Sequence, residues 1–179
     1  AVEVWSEVCD GGGLEGVVVG MVDENNVPSP LSPSSAGSYL LQICSALSHL
    51  HSLSLSSGSV SLSNVWVGRG GSLKLSNYYP GMSSSSSSDA SRRQAKDLRD
   101  LAALTGQLLN GPGHAGWDVP SAARSFMKEC VRDGAAADDL MRHPFLRAAQ
   151  NATGGGAAGV VITPGKVRRG GSNPGSRGG

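Results

Sequence analysis

The sequence predicts a mostly α-helical domain with a small β component, an α+β class in which helices build the core. Residues 39–51 and 95–109 both place apolar side chains on one face at helical spacing. Two short β-type runs, residues 64–67 and 72–75, flank a glycine-rich turn. Glycine, serine and proline make up 63 of the 179 residues, so we expect a modest core and much connecting chain.

The first third of the chain opens on a predicted strand. Residues 2–9 alternate in part and are rich in valine, and Asp-Gly-Gly-Gly ends the run. Residues 14–21 are apolar but contain two glycines, which leaves helix and strand both open. Residues 25–35 are rich in proline and serine and predict a loop.

The clearest predicted helix is residues 39–51, whose apolar positions recur at i, i+1, i+4, i+7, i+8 and i+11. Ser34 or Ser35 is its expected N-cap. His49 and His51 lie near opposite faces of this helix, and we interpret them as a boundary and a core histidine rather than as metal ligands. The two β-type runs that follow predict a hairpin.

The second half of the chain predicts three more helices. Residues 83–88 are six serines in a row and predict a mobile loop. A helix at residues 95–109 should end at Asn-Gly-Pro-Gly, and a third helix should cover residues 121–131. A short fourth helix at residues 137–141 should end at a His-Pro pair.

Charge and apolar content exclude some partners. No apolar run approaches the roughly 20 residues that cross a bilayer, so we expect no membrane partner. All 14 acidic residues precede residue 147, whereas five basic residues follow from Arg147 onward. An acidic body is a poor binder of nucleic acid, and the tail has only two Arg-Gly-Gly copies. Nucleic acid is therefore an unlikely partner by sequence, although an RNA-associated tail stays an alternative.

The three cysteines, Cys9, Cys44 and Cys130, are far apart and form no Cys-x-x-Cys motif. Such spacing does not favour a disulfide framework or a zinc site. We interpret them as reduced thiols of a cytoplasmic protein.

Six stretches in one order resemble the C-terminal lobe of a eukaryotic protein kinase. They are similar to the hinge, the long helix before the catalytic loop, the end of that loop, the strand before the metal-binding triplet, the Asp-x-Trp-x-x-Gly helix start and the closing His-Pro-Phe motif. In this chain they are EVCDGG at residues 7–12, YLLQICSALSHLHS at 39–52, SNVWV at 63–67, GSLKLS at 71–76, DLRDLA at 97–102 and LMRHPFL at 140–146.

The resemblance implies that the catalytic positions are degenerate. The kinase loop His-Arg-Asp-Leu-Lys-x-x-Asn falls on residues 57–64, so Ser59 stands where the catalytic base is expected and Ser61 where the loop lysine is expected. Asn64 remains as a possible metal ligand, with turn bonding as its alternative. Asn77 replaces the metal-binding aspartate. The resemblance therefore implies no catalytic residue in this chain.

The resemblance also assigns positions outside the catalytic loop. Glu7 and Cys9 fall in the hinge, where the family binds nucleotide, and Asp97 has a structural role towards the backbone of the catalytic loop. For Asp100, a favourable charge at a helix N-terminus is an equally good explanation. The Ala-Pro-Glu triplet and its arginine partner, which would fall at Gly134, are both absent; losing both avoids an unpaired buried charge.

The resemblance divides the chain into three parts: a hinge strand and linker at residues 1–13, a kinase-like C-lobe at residues 14–148 and a disordered Gly/Arg-rich tail at residues 149–179. The glycine-rich loop and lysine strand of an N-lobe are not found before the hinge, so we expect the N-lobe to be absent. Because the chain opens at Ala1 inside a β-type pattern, we expect a fragment.

Among degenerate kinases, the chain most resembles the pseudokinase domain of the general-control kinases that act on the alpha subunit of initiation factor two. This resemblance implies an inactive regulatory or scaffolding domain whose partner is a kinase domain on the same or another chain. An ATP-dependent serine/threonine protein kinase fragment stays an alternative. No cofactor is expected, and ATP with Mg²⁺ would bind only if the family function were retained.

Overall fold

The computed structural model describes residues 12–20, 30–68, 71–76, 87–110 and 119–152. In this part of the chain the fold is mostly helical with a two-stranded antiparallel sheet, which confirms the predicted mostly-α class. The predicted strand at residues 2–9 and the chain beyond residue 152 lie outside the described residues.

Helix α1, Leu14–Gly20, shows that the ambiguous apolar run is helical over these residues, and Met21 lies outside the described residues. Leu14 and Val18 are buried one turn apart on its inner face. The residues just before it continue into the sheet, where the Val67 N–H donates to the Gly12 carbonyl at 2.8 Å. Helix α1 is thereby tied to the hairpin.

The long helix α2, Pro33–Ser52, begins six residues before the predicted start. Its N-cap is Ser32, not Ser34 or Ser35: the Ser32 Oγ accepts the Ser35 backbone N–H at 3.1 Å. Pro33 occupies the first helical position, where its missing N–H costs no hydrogen bond. The predicted loop at residues 25–35 therefore ends earlier than its composition indicated.

The predicted hairpin is confirmed. Strand β1, Val65–Val67, pairs antiparallel with β2, Leu73–Leu75, and Val65 lies opposite Leu75. The alternation buries Val65 and Val67 and leaves Trp66 exposed between them. The hairpin therefore presents one apolar face to the core.

Helix α3, Ser87–Asn110, begins eight residues before the predicted start at residue 95. The last two serines of the run at residues 83–88 are helical, so the prediction of a loop across the whole run was wrong at its end. Asp89 lies in the first turn, where a negative charge favours a helix N-terminus. The inner face of α3 buries Leu98, Leu101, Leu104, Leu108 and Leu109.

Helices α4, Ser121–Cys130, and α5, Ala137–Met141, lie where the sequence predicts them. A further helix, α6, Pro144–Ala152, was not predicted. It corrects the boundary of the predicted tail at residue 149, because residues 149–152 are helical and Ala149 is buried. The ordered body thus reaches at least Ala152.

Helix α2 lies at the centre of the fold and packs on α3, α5, α6 and β2. Gly37 lets α2 approach α6 closely, since a Cβ added there would lie 2.5 Å from the Ala149 Cβ. The largest fully buried side chains are Tyr39, Phe126, Leu14, Leu40, Ile43, Leu47, Leu98, Leu101, Leu104, Leu108, Leu140 and Leu146. Among the described residues no helix combines the length and the apolar character needed to cross a bilayer.

Candidate functional site

The loop between α2 and β1 contains the positions where the resemblance places a catalytic loop. Its backbone is held by Asp97 of α3, whose side chain is fully buried. Asp97 Oδ2 accepts the Ser57 N–H at 2.8 Å, and Oδ1 accepts the Gly58 N–H at 2.9 Å. Charge-assisted bonds of this kind are among the strongest in proteins. Asp97 therefore fixes the start of residues 57–64, which we call the serine loop.

His51, in the last turn of α2, is the third partner of Asp97. Its Nε2 lies 3.0 Å from Asp97 Oδ2, and its side chain is only 12% exposed. The carboxylate is thus surrounded by three donors, which offsets the cost of burying its charge. These contacts agree with a structural role for Asp97.

The positions of Asp97 and Asp100 within α3 differ from the helix start that the sequence comparison indicated. Asp97 lies ten residues after Ser87, the first residue of α3, and Asp100 lies a further turn along. Neither is at a helix start, so the Asp-x-Trp-x-x-Gly comparison misplaced the helix boundary. The favourable interaction with the helix dipole that was expected for Asp100 is also wrong, since that effect fades beyond the first turn.

Asp100 holds the next part of the serine loop. Its Oδ2 accepts the Val60 N–H at 3.3 Å and the Lys96 Nζ at 2.6 Å. Lys96 Nζ also donates to the Gly58 carbonyl at 3.0 Å. Both α3 carboxylates that reach the loop therefore accept hydrogen bonds from backbone N–H groups of the loop. Asp100 in addition pairs with Lys96 of the same helix.

The serines of the loop bond mainly to one another. The Ser57 Oγ donates to the Ser59 carbonyl at 3.3 Å, and the hydroxyls of Ser61 and Ser63 lie 3.1 Å apart. A neutral hydroxyl supplies neither a useful base near pH 7 nor a charge that would stabilise a transferring phosphoryl group. The residues at the expected base and lysine positions, Ser59 and Ser61, thus contribute polarity without charge.

Asn64 ends a 3-10 turn, Leu62–Asn64, just before β1. Its Nδ2 donates to the Ser59 carbonyl at 3.5 Å, and its own carbonyl accepts the Ser76 N–H at 2.8 Å. These bonds favour the turn-bonding interpretation of Asn64. Together, Ser59, Ser61 and Asn64 offer hydroxyl and amide oxygens but no carboxylate, which is a poor donor set for a hard Mg²⁺ ion.

The structure brings Ser59, Ser61, Asn64 and Asp97 together around one loop. The other predicted positions, Glu7, Cys9 and Asn77, lie outside the described residues. Within the described ranges, no three His, Cys, Asp or Glu side chains are placed to hold a metal ion.

Sequence reasoning missed Gln94, one turn before Asp97 on α3. Its Nε2 donates to the His51 carbonyl at 3.1 Å and to the Leu55 carbonyl at 3.3 Å. These are carbonyls at and just beyond the C-terminus of α2, which need external donors. The three-residue spacing between Gln94 and Asp97 could have indicated this role, because residues three apart share a helix face and both side chains then point towards the loop that follows α2.

The two described cysteines are buried free thiols. Burial, with a smaller contribution from Cys130, raises the pKa of the Cys44 thiol. Burial also raises the pKa of Cys130 to about 12, against a backbone hydrogen bond that lowers it. Both side chains therefore stay protonated at neutral pH and act as apolar core residues.

No family model matches the chain, and no curated protein matches it significantly.

Proposed function

We propose that this chain is a catalytically inactive, protein-kinase-like domain with a regulatory or scaffolding role towards a kinase domain. The observation that supports this most is the use of the carboxylates around the serine loop. Asp97 is fully buried and surrounded by donors, and Asp100 is held by Lys96 and Val60. Both oxygens of Asp97 and the Oδ2 of Asp100 are thus taken up by groups that hold the loop in place.

Phosphoryl transfer depends on charge placed around the transferring group, because positioning and electrostatics provide most of the catalysis. The serine loop supplies Ser59 and Ser61 where the resemblance leads us to expect a base and a lysine. A protein that retained this activity would need another base and another cation. We therefore expect no measurable phosphotransfer.

The serine loop is nevertheless anchored well. Three donors meet the buried Asp97, and removing a charge partner from such an arrangement is costly. A stable loop and hairpin without catalytic charge suit a domain that acts through its surface. This supports regulation or scaffolding over an enzyme with unusual catalytic residues.

The partner that the resemblance favours is the kinase domain of a general-control kinase, on the same chain or on another. The first experiment adds the purified chain to such a kinase domain and measures the rate at which the alpha subunit of initiation factor two is phosphorylated. We expect a saturable change in rate. The matched control is the chain unfolded by heat and cooled. A rate that stays constant up to high micromolar chain would refute the regulatory role.

The second experiment tests inactivity with the chain alone, Mg-ATP and a general protein substrate. We expect no transfer above the blank for the wild type. The variant Ser59→Asp should also stay inactive, because Ser61 and Asn77 still lack the expected charges. ATP-dependent transfer by the wild type that is lost in Asn64→Ala would show that the domain is an enzyme.

A further inference from the structure

A groove of about 880 Å³ lies beside the long helix α2. Strand β2 lines it as well, together with Met141 at the end of α5 and Gln150 near the end of α6. Its lining on α2 extends from Leu41 to Leu50, which corresponds to about 14 Å along the helix axis. The groove is therefore long enough for an extended segment of about four residues.

Much of the lining of this groove is apolar. Its apolar side chains are all partly exposed, so water still reaches each of them. They are Leu41, Ala46, Leu50, Leu73, Leu75 and Met141. Covering an apolar surface of this kind releases its hydration water, which favours an apolar occupant.

Strand β2 presents its outer edge to the groove. The Ser76 N–H donates to the Asn64 carbonyl at 2.8 Å, so the N–H and C=O of the neighbouring Leu75 are directed away from β1. On that same edge the Leu73 N–H donates to the side chain of Gln42 at 2.9 Å. Gln42 thus occupies the edge at Leu73, whereas at Leu75 the backbone can pair with an added strand.

The charges of the lining restrict what can occupy the groove. Lys74 and His49 line it and are exposed, and among the described residues no aspartate or glutamate lines it. A basic segment placed here would face like charge without a carboxylate partner. The groove therefore favours a neutral or acidic occupant over a basic one.

The chain itself contains a neutral, apolar run that suits a strand. Residues 153–163 have no charged side chain, and Val160, Val161 and Ile162 are consecutive β-branched residues, a type enriched in strands. The first basic residue after Arg147 is Lys166. This run therefore has the apolar character and the neutrality that the groove favours.

The run is also within reach of the groove. Gln150 lines the groove, and α6 ends two residues later at Ala152. Seven residues, four of them glycine, separate Ala152 from Val160. A glycine-rich chain of this length spans about 16 Å on average and about 28 Å at most. Such a tether gives an effective concentration of order millimolar, which a separate peptide or a second copy reaches only at high concentration.

We propose that residues 160–162 of this same chain dock in the groove as a short strand on the edge of β2. Their side chains pack on the apolar lining, and their backbone pairs with Leu75. The basic residues that follow from Lys166 onward stay outside the groove, because its lining offers them no carboxylate. This assignment requires no kinase partner, so it is independent of the proposed function.

Amide hydrogen exchange of the full chain, followed by NMR and corrected for the intrinsic rate of each sequence, tests the docking. The amides of Leu75, Val161 and Ile162 should exchange about tenfold more slowly in the wild type than in V160D/I162D, which corresponds to about nine-tenths of the molecules being docked. The matched control, V167D/S172D, adds two carboxylates further along and should keep the protection. Equal rates in the wild type and V160D/I162D, or an equal loss in the control, would overturn the proposal.

A variant of the groove tests where the segment docks. Ala46→Arg places a long, charged side chain in the lining and should remove the protection of Val161 and Ile162. Its control, Ala103→Arg, makes the same change at an exposed alanine of α3 outside the groove and should keep the protection. Protection that survives in a folded Ala46→Arg would place the segment elsewhere and refute the assignment. Should Ala46→Arg not fold, the exchange of Leu75 in V160D/I162D still decides.

Dilution separates docking within one chain from docking between two. The exchange of the wild type is measured again after about tenfold dilution, and we expect the same protection because the tether fixes the effective concentration. Protection that falls on dilution would assign the groove to a second copy of the chain and would be contrary to the proposal.

Discussion

The two halves of α2 are held in place by different physics. In its N-terminal half, Gly37 packs against Ala149 of α6, and the contact depends on shape. In its C-terminal half, His51 binds Asp97 of α3 and Ser48 donates to Asp138 of α5. One helix is thus fixed by close apolar packing at one end and by hydrogen bonds at the other.

The difference determines how each end responds to change. A close apolar contact is sensitive to volume, because protein interiors are packed as densely as organic crystals. A buried polar contact is sensitive to the loss of a partner, because the remaining group keeps its desolvation cost without its hydrogen bond. At the polar end, a variant that removes a hydrogen-bonding group should therefore lose much stability. At the apolar end, a variant that adds side-chain volume should lose much stability.

The largest effect is expected for Asp97→Ala. It leaves the N–H groups of Ser57 and Gly58 without their acceptor and His51 without its partner. Removing one member of a buried charged network costs about 3–5 kcal/mol, a large part of the stability of a typical domain. Urea unfolding followed by far-UV circular dichroism measures the loss.

The control is Asp100→Ala, one turn further along α3. Asp100 is 26% exposed and pairs with a half-exposed Lys96. Its removal should cost less than about 1 kcal/mol, as for other solvent-exposed pairs. Equal losses of stability in the two variants would show that burial does not make the removal of the Asp97 carboxylate more costly.

The helices and the hairpin could largely be predicted, because their signals are local. Apolar periodicity located α2, α4 and α5, and the glycine-rich turn located the hairpin. The beginning of α3 was not predicted, because serine has only a moderate helix propensity and also favours loops. Helix α6 was missed because Pro144 was interpreted as a stop, whereas proline at the first helical position starts a helix.

The site was predictable only in part. The resemblance indicated a structural Asp97 and neutral serines at residues 59 and 61. The contact between His51 and Asp97 joins residues 46 apart in the sequence, and no local spacing rule predicts it. Partners of this kind become visible only when α2 and α3 are packed together.

At the apolar end, Gly37→Ala should destabilise the protein. The new Cβ would lie 2.5 Å from the Ala149 Cβ, in a contact between two helices. Overpacking costs about 1–3 kcal/mol, and the better helix propensity of alanine offsets about 0.5–1 kcal/mol of it. The midpoint of urea unfolding should fall.

Gly106→Ala is the matched control, since Gly106 is also inside a helix. Its new Cβ would meet only the flexible end of Met127, at 3.6 Å. This variant should gain about 0.5–1 kcal/mol from propensity. A change of the same sign in both variants would contradict the view that packing distance governs the apolar end.

Tyr39→Phe should stabilise the same end by about 1 kcal/mol. The Tyr39 side chain is fully buried, and its hydroxyl has no hydrogen-bond partner within the described residues. Burial raises the pKa of this hydroxyl, and phenylalanine would remove the unsatisfied group without changing the ring. Thr105→Val is the comparison, because the buried Thr105 hydroxyl donates to the Leu101 carbonyl at 2.8 Å. It should bring no gain, and a gain only in Thr105→Val would be contrary to this account.

The smallest effect should come from pH, through His143 beside the start of α6. Burial lowers the pKa of His143 from its ordinary value of 6.5, and the charge of Glu129 acts in the opposite direction. The Phe145 N–H donates to His143 Nδ1 at 3.2 Å, a bond that needs Nδ1 unprotonated. As the pH falls through 6.5, the unfolded chain therefore takes up a proton before the folded chain does, and stability declines.

Because the ring of His143 is partly exposed, solvent screening should keep this decline below about 1 kcal/mol. Urea midpoints at pH 7, 6 and 5 measure it. The informative quantity is the difference in this loss between the wild type and His143→Gln. The variant should lose less stability between pH 7 and pH 5. A steeper loss in the variant would mean that protonated His143 stabilises the fold, so that the charge of Glu129, rather than burial, governs this position.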